Sequence, residues 1–466
     1  MNLQNKVIGE GTYGCIHSPS LLCNTKKKIS YTNKVSKILT KKNAKTEIKE
    51  TKLIKKIDPT NKFYLGEPYN CNPKNDAITN RAIDLCDNFN SKNINNYELL
   101  IMNNGGVDLT KLNSNIIEKL PINKREHAMN NFWVEALRIM NGLTIFLKNN
   151  IIHHDLKGQN MVYDFEKNRI NFIDFGLMTQ KTKLINECKK SNNWHSNNYH
   201  WSFPPELIFT NKNKYTLLSK FSNEIKIHVF KEKFCKILET PNNHLSLFFL
   251  SVDKNYYIER ENSVLANKFL NNYLDFLFKI NLNKTKTIPN NYHYFLEKSL
   301  DTIDSYGVAI GFIEILNKTS QYISSNLSGE LYNLFFKMID FDVFTRIHPN
   351  DALMEYQQIL INNNLFPHKP QNMPKFISLP EEGIKVNTVI SNIKVLEEYP
   401  KSHIANSKQL SYLKKLSKTA KKTNSKQPIC QKLPEELCLK TQGCLFAKGI
   451  KLQYCKTKKN LKKIKK

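Results

Sequence analysis

The chain has 466 residues, with 70 Lys and Arg against 41 Asp and Glu, and a formal net charge of +29. Apolar residues make up 40% and aromatics 11%, enough for a large core, which excludes a wholly disordered chain. No apolar run reaches the roughly 18–20 residues that a membrane helix needs, and no secretory apolar region follows Met1. We therefore expect no membrane association and a reducing, intracellular location, where the ten cysteines stand as thiols or metal ligands rather than disulfides.

The first pattern lies at residues 7–16, VIGEGTYGCI, read as strand, glycine turn, strand. Its Gly9, Gly11 and Gly14 follow the spacing G-x-G-x-x-G, with Ile8, Glu10, Thr12, Tyr13, Cys15 and Ile16 around them. Glycines let a backbone approach phosphates closely, and backbone N–H groups there can bind them. No helix start follows Gly14 and no Lys-Ser/Thr pair is present, so neither a dinucleotide fold nor a P-loop fits. Next, Lys34–Leu39 alternates as a strand with Lys37 on it. A helix is expected over about 41–57, stopped by Asp58-Pro59. Glu50, Leu53, Ile54 and Ile57 fall on one face of it, at helical spacing, and would bring Glu50 to Lys37.

Leu99–Met102 is an apolar strand, and an amphipathic helix is expected over about 131–149. After it comes IIHHDLKGQN, residues 151–160, carrying His153, Asp155, Lys157 and Asn160. Ile170–Leu177 follows with Asp174, Phe175 and Gly176. Two loops thus each carry an acid, with a lysine and an amide between them. Phosphoryl transfer with a metal ion needs such a set: one carboxylate to deprotonate a hydroxyl, a carboxylate and an amide for the cation, and a lysine for the γ-phosphate.

In these motifs the chain resembles the eukaryotic-type protein kinase superfamily over about residues 1–366, and its Asn- and Lys-rich composition, non-arginine catalytic loop and long insert together resemble the kinases of large DNA viruses. The resemblance implies an α+β, bilobal kinase fold: a small β-rich N-lobe over 1–104 and a large helical C-lobe over 105–366. It implies ATP-dependent phosphorylation of Ser/Thr hydroxyls on protein substrates, with Mg²⁺ or Mn²⁺. By resemblance, Asp155 is the catalytic base, with Lys157 beside it. Gly9, Gly11, Gly14 and their neighbours Ile8 to Ile16 cover ATP, and Lys37 paired with Glu50 holds its phosphates. Asn160 and Asp174 are the metal ligands. His153, Phe175, Gly176, Asp304 and an ion pair between Glu206 and Arg346 have structural roles. The alternative the sequence allows is an ATP-binding pseudokinase or scaffold acting through its insert and basic tail.

Departures from the family pattern matter as well. His154 stands where the family has an arginine that grips a phosphorylated activation segment, so that switch is not expected here. Residues 211–296 form an insert, expected to be helical from runs such as Phe269–Ile280. A proline-rich linker is expected over 367–400. Residues 401–466 hold nineteen lysines, no arginine and two acids, a net charge of +17, and could bind nucleic acid or acidic proteins. In that tail Cys430, Cys438, Cys444 and Cys455 lack a C-x(2–4)-C knuckle, and disulfides, zinc and thiols all stay open. By the same viral resemblance, a virion location stands beside the host cytoplasm.

Overall fold

A computed structural model of the chain describes residues 5–11, 14–190, 201–230, 244–253, 263–280 and 292–366, together with the strand backbones 444–448 and 453–457. It is a mixed α+β structure: an N-terminal region built on a small antiparallel sheet, and a mostly helical remainder. Two units separate, 1–396 and 397–466.

The sheet holds β1 (Lys6–Gly11), β2 (Gly14–Ser18), β3 (Lys34–Thr40), β4 (Tyr69–Cys71) and β5 (Tyr97–Asn103), in the order β1-β2-β3-β5-β4. In β3, Lys37 lies opposite Ile16 of β2 and Leu100 of β5. Alternation sends Ser36 and Ile38 to one face and Lys37 and Leu39 to the other. Ile38 joins a core with Leu99, Ile101 and Ile83, the last from α2 (Ala77–Ile83). On the opposite face Leu39 and Leu100 pack against Ala44 of α1 (Lys41–Ile57). Thr40 caps α1 by accepting from Asn43 N, and Asp58 ends it, its carboxylate accepting from Lys62 N and Phe63 N, each at 2.8 Å.

The expected helix after residue 130 begins earlier, as α3 (Ile122–Lys148), and is buried from Ala128 to Phe146. Within it Glu135 and Arg138 form a fully buried pair, and Glu135 also accepts from Ile170 N at 3.2 Å. Short pairings follow: β6 (Val107–Asp108), β8 (Met161–Asp164) and β9 (Arg169–Phe172) in one sheet, β7 (Ile151–Ile152) and β10 (Thr179–Gln180) in another. Gly106, at φ +87°, lets the backbone pass Tyr163, whose carbonyl oxygen would sit 2.0 Å from a Cβ there.

The remaining described elements are helical: α4 (Lys181–Lys189), α5 (Lys212–Lys220), α6 (Asn223–Phe230), α7 (His244–Val252) and α8 (Val264–Lys279). Then come α9 (Tyr292–Thr319), α10 (Ser325–Met338) and α11 (Pro349–Asn362). The described part of the 211–296 stretch is therefore mostly helical. Its α8 buries Phe269, Leu270, Tyr273, Phe276 and Leu277, the face that the apolar spacing marks. Among the described residues no helix is long and apolar enough to cross a membrane. In the second unit, β11 (Cys444–Lys448) and β12 (Gln453–Thr457) form an antiparallel pair. Most of the linker and tail, with Cys430 and Cys438, lies outside the described residues.

One expectation is overturned. Cys15 and Cys86 form a disulfide across 71 residues, with Cα atoms 6.2 Å apart. Cys23 and Cys71 form a second across 48 residues, with Cα atoms 5.7 Å apart. Folding the sheet against α2 brings these distant cysteines into one core, which linear spacing does not register.

Candidate functional site

The site forms where the sheet meets the two acid-bearing loops. Lys37 Nζ lies 2.7 Å from Glu47 Oε2 and 3.6 Å from Asp174 Oδ1. Burial disfavours the ammonium, yet the Asp174 and Glu47 carboxylates outweigh it and hold the Lys37 pKa above its ordinary value. For Asp174 burial pushes the other way, but Lys37, then His153 and Lys157, hold its carboxyl below the usual range, so it stays ionised. Gly14 sits directly over the lysine: a Cβ there would meet Lys37 Cε at 2.9 Å.

The partner of Lys37 is Glu47, not Glu50. The buried stripe of α1 runs Ala44, Thr51, Ile54, and Glu47 falls on it. Glu50 is one position off that line; its Oε2 is buried with no hydrogen-bond partner among the described residues. Burial first, then Glu47 and Asp174, push the Glu50 carboxyl up to about 7. The expected face through Leu53 and Ile57 misled because both are only half-buried. The true face is marked by Ala44, Thr51 and Ile54, with Ala44 packed on Leu39 and Leu100 of the sheet.

In the first loop, Lys157 Nζ donates to Asp155 at 3.0 and 3.3 Å. Asn160 Nδ2 donates to the Asp155 backbone oxygen at 2.7 Å and to its Oδ2 at 2.9 Å. With the amide nitrogen so engaged, the Asn160 oxygen is the atom suited to a cation. The two loops are stitched together by Ile173 N donating to Asn160 O and by His153 Nε2 on Ile173 O, both 3.0 Å. The His153 ring packs against Phe175 at 5.0 Å, and Phe175 meets Tyr64 edge-on at 6.1 Å. Asp174 takes a positive φ of 59°, and Gly176 follows close enough for a Cβ to meet Asp174 Oδ1 at 3.4 Å.

Helix α9 fixes the loop from below. Asp304 accepts from His153 N at 2.7 Å and His154 N at 2.8 Å. Burial raises its pKa to about 6 although these two bonds oppose the shift. Gly307 permits the approach: a Cβ would lie 1.9 Å from Leu156 O. Arg346 forks onto Glu206 at 2.7 and 2.9 Å, both side chains fully buried. Its Nε donates to Asp340 O at 2.7 Å and its guanidinium lies 5.1 Å from the Tyr306 ring centre. The buried His154 ring stacks on Phe203 at 5.9 Å.

The glycine-turn residues Ile8, Gly9, Glu10 and Gly11 lie on β1, and Gly14, Cys15 and Ile16 on β2, with Glu10 opposite Cys15. Thr12 and Tyr13 lie outside the described residues. Two of these side chains are engaged elsewhere than in ligand binding: Glu10 accepts from Asp87 N and Asn88 N at 3.0 Å, and Cys15 is in its disulfide. What they leave to a ligand is backbone.

No family model matches the chain, and no curated protein matches it.

Proposed function

We propose that the protein is a protein kinase that moves the γ-phosphoryl group of ATP to Ser or Thr hydroxyls of protein substrates. The observation that carries this reading is the ammonium of Lys37 held between Glu47 and Asp174, beside a loop in which Asp155, Lys157 and Asn160 are hydrogen-bonded together. A fixed cation next to an ionised acid is suited to a nucleotide's phosphates and their divalent counter-ion. On this reading the region built on the sheet and the helical remainder are the two lobes of a kinase fold, and the nucleotide's phosphates lie against the Lys37 ammonium.

Asp174 and the Asn160 oxygen would hold Mg²⁺, with Mn²⁺ the alternative; their donor chemistry, one carboxylate and one amide oxygen, suits a hard cation. The ion, when bound, neutralises charge on the phosphates. Asp155 orients the acceptor hydroxyl and takes its proton; Lys157 sits 3.0 Å away, where its charge can meet the migrating phosphoryl group. Asp304 holds the backbone of His153 and His154, so Asp155 is presented from a fixed loop. The buried Glu206–Arg346 pair fixes the segment after the loops.

The test is direct. The full chain is incubated with γ-labelled ATP, Mg²⁺ and generic basic and acidic proteins, followed by phosphoamino-acid analysis. Label on serine or threonine, lost on chelation, is the expected result. Nucleotide binding with no transfer to any protein would replace the reading by a pseudokinase.

A further inference from the structure

The Cys15–Cys86 pair does not stand alone. His17, two residues along β2, is fully buried beside it, and one donor atom from each of the three residues falls within 4.8 Å of the others. His17 Nε2 lies 3.5 Å from Cys86 Sγ and 2.9 Å from the Ala82 carbonyl oxygen, which is itself 4.0 Å from Cys86 Sγ. A tetrahedral zinc ion with ordinary bond lengths implies a sulfur–nitrogen edge of about 3.6 Å and a nitrogen–oxygen edge of about 3.3 Å. The sulfur–nitrogen separation falls on that edge, whereas the nitrogen–oxygen pair, at 2.9 Å, is in hydrogen-bond contact and would have to open by about 0.4 Å. What departs most from the pattern is the covalent bond between the two sulfurs, which an ion would need spaced about 3.8 Å apart.

We infer that Cys15, His17 and Cys86, with the Ala82 carbonyl as the nearest fourth donor, form a structural Zn²⁺ site in the dithiol state, and that zinc and the disulfide exclude one another. The set is chemically suitable: two thiolates and an imidazole are the donors zinc prefers. In the disulfide state His17 Nε2 donates to the Ala82 carbonyl oxygen and its buried Nδ1 has no partner among the described residues, so zinc at Nε2 would replace that hydrogen bond and move the ring proton to Nδ1. Both sulfurs are buried, and Cys86 lies in the turn after α2 between the exposed Leu85 and Asp87, so this turn is the element that would shift to part them. The step balances. A dithiol or phosphine reductant supplies two electrons, the disulfide becomes two thiols, and Zn²⁺ displaces their two protons. A two-electron thiol oxidant such as diamide reverses it, restoring the S–S bond and releasing Zn²⁺.

This inference is independent of the phosphoryl-transfer reading, because its test reads metal rather than activity. The full chain, Cys86→Ser and His17→Gln are reduced with a phosphine, desalted without oxygen and equilibrated with buffered Zn²⁺. Bound zinc is then measured by elemental analysis. The tail cysteines contribute alike to all three proteins. Each variant should hold about one equivalent less than the unaltered chain. Equal zinc in all three overturns the inference. A second arm needs no variant. Diamide is titrated into the zinc-loaded chain while released zinc and non-reduced peptides are followed. The Cys15–Cys86 peptide pair should appear in step with the loss of about one equivalent of zinc. If that pair forms while all the zinc stays bound, the inference is wrong.

Discussion

Replacing Glu47 by Gln keeps the shape of the side chain and removes its charge. At 2.7 Å, with side chains 12% and 15% exposed, the Lys37–Glu47 contact is a nearly dry, charge-assisted hydrogen bond. Such a bond contributes about 1.5–3 kcal/mol, and each 1.36 kcal/mol is about tenfold in rate, so kcat/KM should fall about 10- to 150-fold. Asp174, at 3.6 Å, then draws Lys37 toward itself, which disturbs the ammonium and the cation ligand together. Lys37→Ala should cost at least as much, and the double variant little more than Lys37→Ala alone, because both changes break one pair. Glu50→Gln should leave turnover within about twofold, since it removes no charge-assisted bond to the lysine. The assay is initial-rate transfer from labelled ATP to a short peptide, with nucleotide affinity measured alongside. A loss for Glu50→Gln equal to or larger than that for Glu47→Gln would refute the assignment.

Other expectations follow from the same geometry. Arg346→Ala strands Glu206 in a fully buried site and should cost about 3–5 kcal/mol in denaturant unfolding. Glu50 has its folded-state pKa raised to about 7 from 4.5, so the folded chain holds a proton that the unfolded chain has shed, and this group's contribution to stability falls as pH rises between those values. Glu50→Gln should flatten the melting temperature across that window, and an unchanged slope would count against the shift. Phosphatase treatment should leave the rate unchanged, because His154 is buried against Phe203 and Lys181 is already paired with Asp301; a large drop would show another anchor. Truncation near residue 400 should weaken retention on polyanions in a salt-dependent way while leaving kcat for a short peptide alone.

The hydrogen-bonded cluster in the loop was readable because it is local: Asp155, Lys157 and Asn160 lie within six residues, and the backbone turn that joins them brings them together. The sheet and α1 were readable for the same reason, from alternation in residues 34–39 and the Asp58-Pro59 stop. Choosing between Glu47 and Glu50 was not local. It depends on how closely α1 lies on the sheet, and apolar spacing picked a face one position away because Leu53 and Ile57 stay half-exposed. The disulfides were hidden by compartment reasoning and by separations of 71 and 48 residues, which only the folded sheet closes. In the insert, apolar periodicity pointed to helices such as α8 but carried no signal of what they contact.

The most direct measurement on the central claim is turnover and nucleotide affinity of Asp155→Asn, side by side. Asp155 touches Lys157 and Asn160 but neither Lys37 nor Glu47 in the hydrogen-bond pattern, so the nucleotide's grip should survive while proton acceptance is lost. The account predicts ATP affinity within about threefold of the unaltered chain and kcat reduced by about 10²-fold or more. Near-normal turnover in Asp155→Asn would contradict it.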